Sequence, residues 1–83
     1  MQILYFAWVR ERIGTAEESL TPPPAIATVG ALLDWLAARS PGHAAALADR
    51  TAIRIALDQD FVGPGAPLGT AREIAIFPPV TGG

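Results

Sequence analysis

The chain has 83 residues, of which 51% are hydrophobic and 17% charged, with a formal net charge of −2 and no cysteine. That length allows one small domain with an economical core, and the apolar content is too high for a disordered chain. The charge balance lacks the basic footprint of a nucleic-acid binder, and no apolar run approaches the ~20 residues of a bilayer-spanning helix. Without cysteine there is no disulfide, thiol nucleophile or thiolate metal site. All basic residues are arginine, so an activated acyl group would find no lysine amine on its own chain.

In chain order, Gln2 to Val9 reads as a strand, rich in aromatic and β-branched residues. It lacks the positive n-region of a signal peptide and runs directly into Arg10-Glu11-Arg12, so the cytoplasm is the expected compartment. Alternation puts Ile3, Tyr5, Ala7 and Val9 on one face and Leu4, Phe6 and Trp8 on the other. Arg10 to Gly14 suits a turn or one helical turn, and Thr15 to Thr21 a second, more polar strand completing a hairpin. Pro22-Pro23-Pro24 is a stiff loop. Thr28 to Ser40 is the strongest helix: Val29, Leu32, Leu33 and Leu36 form one stripe, Thr28 can cap it and Pro41-Gly42 would end it. A short alanine-rich helix is expected over His43 to Asp49, then strands over Thr51 to Leu57, Phe61-Val62 and Arg72 to Phe77, with a turn at Asp58-Gln59-Asp60. This order suits an α+β fold, a mixed sheet with one main helix packed on one face: the β-grasp, or ubiquitin-like, arrangement.

Conventional catalytic signals are missing. A single histidine, His43, cannot make a zinc site and is expected at the surface. Neither Ser19 nor Ser40 lies in a nucleophile-elbow motif. The segment Gly63-Pro64-Gly65-Ala66-Pro67 has no P-loop lysine and reads as a plain turn, and Asp58 and Asp60 read as turn formers.

The last residues, Pro78-Pro79-Val80-Thr81-Gly82-Gly83, have a different logic. Two prolines end the strand and hold the chain extended, and Val80 and Thr81 also favour extension. The segment after Phe77 can reach at most ~20 Å, enough to thread a narrow channel. Two glycines let the backbone pass where no side chain fits. Read as a free terminus, Gly83 carries an ionised carboxylate, a poor electrophile that needs activation, most simply as an acyl-adenylate. The expected organisation is a domain over 1–77 and an extended carrier tail over 78–83.

Two segments resemble the molybdopterin synthase small-subunit family, the ubiquitin-like sulfur carriers of molybdenum cofactor biosynthesis. Phe6-Ala7-Trp8-Val9-Arg10-Glu11-Arg12-Ile13-Gly14 is similar to the family's F-A-x-x-R-E-x-x-G stretch, and Glu73 to Gly83 to its E-V-A-x-F-P-P-V-x-G-G ending. The middle agrees in length and pattern, including Pro67-Leu68. The resemblance implies a cytoplasmic subunit that is non-catalytic alone and binds no cofactor or metal. A ubiquitin-activating-like adenylyltransferase would use ATP to adenylate Gly83, and a sulfur donor would convert the adenylate to a thiocarboxylate. The tail would then enter the large synthase subunit, in a heterotetramer with two copies of each subunit, and give its sulfur to a cyclic pyranopterin precursor. The family's docking surface carries over to Phe6, Phe61 and Phe77, and the strand alternation adds Trp8. The alternatives are a sulfur carrier for another pathway, such as thiamine, and a ubiquitin-like modifier of proteins. No nucleic acid or membrane is expected among the partners.

Overall fold

The computed structural model describes residues 1–79. Within them the chain forms β1 (Gln2–Tyr5), α1 (Ala7–Ile13), β2 (Glu17–Ser19), α2 (Val29–Ala37), α3 (Pro41–Leu47), a 3-10 turn (Arg50–Ala52), β3 (Arg54–Leu57), β4 (Asp60–Val62) and β5 (Glu73–Phe77). The sheet order is β2-β1-β5-β3-β4. Strands β1 and β5 pair in parallel at its centre, and every other pairing is antiparallel. Helices cover one face of this mixed sheet, which is the ubiquitin-like β-grasp arrangement.

The core forms where the helical stripe meets one pleat of the sheet. Val29, Leu32, Leu33 and Leu36 of α2 are buried against Ile3, Ile55, Ile74 and Ile76, with Val9 of α1 and Ala46 and Leu47 of α3 completing the cluster. Burying each large aliphatic side chain stabilises the fold by roughly 1.5–3 kcal/mol before entropy is charged. The Thr28 hydroxyl caps α2 by accepting from the Ala31 N–H at 3.2 Å. The glycine–proline loop caps it too: Ala66 O accepts from Val29 N–H at 3.0 Å and Pro64 O from Gly30 N–H at 2.8 Å. These bonds satisfy the donors that an open helix N-terminus would offer an anion.

The first strand is shorter than expected. It stops at Tyr5; Phe6 is extended, Ala7 takes φ +53°, and the chain winds into α1. Gly14 ends that helix at φ +98°, its N–H on Arg10 O at 2.8 Å. A short apolar run cannot distinguish a two-faced strand from a strand followed by a helix, because Val9 and Ile13 also share a helical face. Strands β1 and β2 are therefore antiparallel neighbours joined through α1, not by a tight turn. Helix α1 packs closely on α3: a Cβ on Gly42 would lie 2.5 Å from Arg12 O.

The α2–α3 boundary and His43 also differ from expectation. Pro41 opens α3 instead of closing α2, and the Ser40 hydroxyl caps α3 by accepting from the His43 N–H at 3.1 Å. His43, expected at the surface, is only 6% exposed. Its Nδ1 lies 2.7 Å from Ser40 Oγ and its Nε2 2.8 Å from Glu18 Oε2. The Tyr5 hydroxyl donates to the same carboxylate oxygen at 2.6 Å, and Arg39 Nη2 stands 3.7 Å from Oε1. Helix α3 is thus tied to β1 and β2 by a buried polar network whose members are far apart in sequence.

Burial alone would raise the Glu18 carboxyl, but hydrogen bonds from Tyr5 and His43 and the nearby Arg39 charge outweigh it and hold it below the ordinary carboxylate range. Burial, then the bond to Glu18, raises Tyr5 above the ordinary phenol value. A depressed carboxyl contributes stability that is present above its unfolded value, near ~4.3, and lost as pH falls through its folded value. Glu18→Ala should therefore cost about 1–3 kcal/mol at neutral pH by orphaning Tyr5 and His43. Urea denaturation should also show a shallower acid loss of stability in the variant than in the parent chain.

Candidate functional site

Because Ile74 and Ile76 face the helices, the pleat sends Ala75 and Phe77 to the opposite, open face of β5. The register aligns Arg54 with Phe77, and Ala56 with both Ala75 and Phe61, so these residues share that face. The Phe61 and Phe77 rings are 5.7 Å apart, tilted at 44°. Phe61 is 82% exposed and Phe6 46%, the two exposed large hydrophobic residues of the described chain. The Phe6 N–H bonds Ile76 O at 3.1 Å, which holds Phe6 beside the end of β5. Exposed apolar residues grouped on so small a domain make this the candidate docking surface.

Strand β5 ends in the middle of this cluster. Pro78 and Pro79 have no N–H to extend the ladder, and a cavity of about 320 Å³ opens there, lined by Arg54, Ile55, Phe61, Val62, Phe77 and Pro79. The remaining tail residues singled out from the sequence, Val80, Thr81, Gly82 and Gly83, lie outside the described residues. Trp8 belongs to α1, not to the sheet. Its indole packs against the core, and the Arg12 guanidinium lies 4.5 Å from the ring centroid. The alternation that grouped Trp8 with Phe6 assumed a strand that the chain does not form.

Ser40, His43 and Glu18 touch in the order of a hydrolase relay, but the arrangement is structural. The Ser40 oxygen is committed to capping α3, and the ring is closed off from solvent. Asp58, read as a turn former, does more than that. With Gln59 it makes a two-residue turn between β3 and β4, at φ +46° and +73°. Its carboxylate also accepts from the Arg72 and Glu73 N–H groups, each at 3.0 Å, fixing the start of β5. Among the described residues no three His, Asp or Glu side chains converge to hold a metal ion, and no helix is long and apolar enough to cross a membrane.

The face assignment has a direct test. Phe61→Asp should change stability by no more than about 0.5 kcal/mol, as exposed positions do. Ile76→Asp should unfold the domain by burying an unpaired charge. Circular dichroism and urea titration of the two variants read out the difference.

Comparison with known proteins places this geometry. The ThiS family model matches residues 3–83. The molybdopterin synthase sulfur carrier subunit of Escherichia coli is 43% identical, over 100% of this chain and 99% of its own. The protein of the same name from Haemophilus influenzae is 32% identical, with the same coverage. Among solved structures, SAMP1 from Haloferax volcanii superposes with a TM-score of 0.74 at 28% identity, covering 100% of this chain and 98% of that one. A Pyrococcus furiosus chain assigned as subunit 1 of a molybdopterin converting factor gives 0.77 at 25% identity, covering 95% of each. The chain belongs to the ThiS family, and within it to the group of molybdopterin synthase sulfur carrier subunits.

Proposed function

We propose that the chain carries sulfur to molybdopterin on the carboxyl group of Gly83. One observation carries this reading: β5 releases the chain through Pro78-Pro79 beside the paired Phe61 and Phe77 rings and the exposed Phe6, while Ser40, His43 and Glu18 are committed to holding the fold. The domain is a handle and the chemistry is at the tail.

In the proposed cycle an adenylyltransferase related to ubiquitin-activating enzymes binds the domain. A Gly83 carboxylate oxygen attacks the α-phosphorus of ATP, pyrophosphate leaves, and an acyl-adenylate forms. Sulfide delivered by a donor then attacks the acyl carbon, the bond to AMP breaks, and a thiocarboxylate remains. The loaded tail enters the large synthase subunit, whose own side chains transfer the sulfur to the cyclic pyranopterin precursor. Water restores the carboxylate. Because a dithiolene holds two sulfurs, two loaded tails are consumed per product. Phe6, Phe61 and Phe77 form the docking surface in both encounters, with Trp8 contributing only what the core and Arg12 leave uncovered. Glycine at 82 and 83 keeps the reacting end slender.

A second reading is supported by the likeness to a chain described as small archaeal modifier protein 1. The same activated carboxyl could be joined to lysines of target proteins. Intact mass spectrometry separates the two. With ATP, the activating enzyme and a sulfur donor, the carrier reading expects the mass gain of one sulfur replacing one oxygen, localised to Gly83. Deleting Gly82 and Gly83 should abolish this gain and leave the folded domain intact. Isopeptide links from Gly83 to cellular proteins, with no sulfur gain, would favour the modifier. Phe77→Asp should weaken binding to the large subunit without unfolding the chain; unimpaired binding would refute the docking surface.

A further inference from the structure

The open face of the sheet carries Arg54 beside the end of β5 and the carboxylates of Glu73 and Glu17 away from it. Arg54 stands opposite Phe77, at the end where the tail departs. Glu73, opposite Gln2, lies at the other end of β5, and Glu17, opposite Leu4, on the outer strand. The Arg54 guanidinium is also held in place. Its Nη1 donates to Thr51 O at 3.0 Å and to Ile53 O at 2.8 Å. Among the described residues its Nε and Nη2 make no hydrogen bond, although the side chain lines the cavity with Phe61, Phe77 and Pro79. Those two nitrogens form one edge of the fork, with the spacing that matches a carboxylate. A fixed guanidinium has already lost much of the rotamer freedom that an exposed arginine would give up on binding.

We infer that Arg54 is a specificity contact for the protein that receives the tail. That partner presents an aspartate or glutamate carboxylate beside the mouth of its channel, gripped by the Nε–Nη2 edge, next to an apolar recess for Phe61 and Phe77. Arg54 beside Phe77, with Glu73 at the far end of β5 and Glu17 on the outer strand, then favours the docking direction that aims Pro79 into the channel. A carboxylate at that one point fits; a basic residue there is repelled. The inference rests on the docking reading above and adds to it the charge that the partner must carry.

The test is the affinity of the full-length chain for the large subunit of the synthase, at low and high ionic strength. Arg54→Glu should raise Kd roughly thirtyfold or more at low salt, while the chain stays folded, its melting temperature lowered only by the loss of the two contacts to Thr51 O and Ile53 O on an exposed side chain. Arg54→Lys should recover only part of the affinity, since a point charge cannot make the paired contact. An Asp or Glu→Arg change at the channel mouth of the large subunit should rescue Arg54→Glu. If Arg54→Glu binds like the parent chain while Phe77→Asp does not, the docking surface stands and the arginine contact is refuted. If neither variant alters Kd, the docking reading itself fails. If Arg54→Glu instead disrupts only self-association, seen by sedimentation, the face belongs to a second copy and the inference is overturned.

Discussion

Ile74 and Ile76 lie fully buried under the leucine stripe of α2, and the rest of the molecule follows from that contact. A strand has only two faces. Once the isoleucines point at the helices, Ala75 and Phe77 must point away, and the ladder carries Phe61 with them. A one-residue slip would put phenylalanines in the core and isoleucines in water. Parallel pairing with β1 and antiparallel pairing with β3 hold β5 in the middle of the sheet, where slipping is hardest.

Helix α3 adds polar contacts to apolar ones. It is short, and its seven residues would not hold together in water alone. It stays because Ala46 and Leu47 are buried in the core, because His43 meets Glu18 and Tyr5 in a closed polar network, and because Gly42 lets it approach the end of α1. The glycine–proline loop contributes carbonyls where α2 begins, so a segment that reads as a plain turn also completes a helix cap. Asp58 ties the β3–β4 turn to the start of β5, setting where that strand begins and so where it ends.

This arrangement leaves a rigid frame with one unfinished surface. Phe6 and Phe61 leave apolar surface in water around the end of β5, which is the kind of surface a partner protein covers. In the proposed cycle the same surface meets the activating enzyme and then the synthase. The loaded and empty tails differ by one atom, so the domain itself has no reason to change shape between the two encounters.

Much of this was written in the local pattern. The α2 stripe, the β3–β4 turn and the end of β5 at Phe77 each rest on residues adjacent or one helical turn apart, where propensity and spacing decide. Tertiary structure decided what depends on distant partners. The apolar run from Ile3 to Val9 suits strand or helix equally, and only the docking of Val9 against the core breaks the tie at Tyr5, moving Trp8 off the sheet. A lone histidine after a proline looks solvent-exposed until a carboxylate 25 residues away arrives to bury it. The sequence determined that β5 stops at Phe77, because the two prolines after it bring no N–H to a ladder. The fold alone decided which side chains surround the end of that strand, because a cross-strand neighbour is set by register and not by sequence distance.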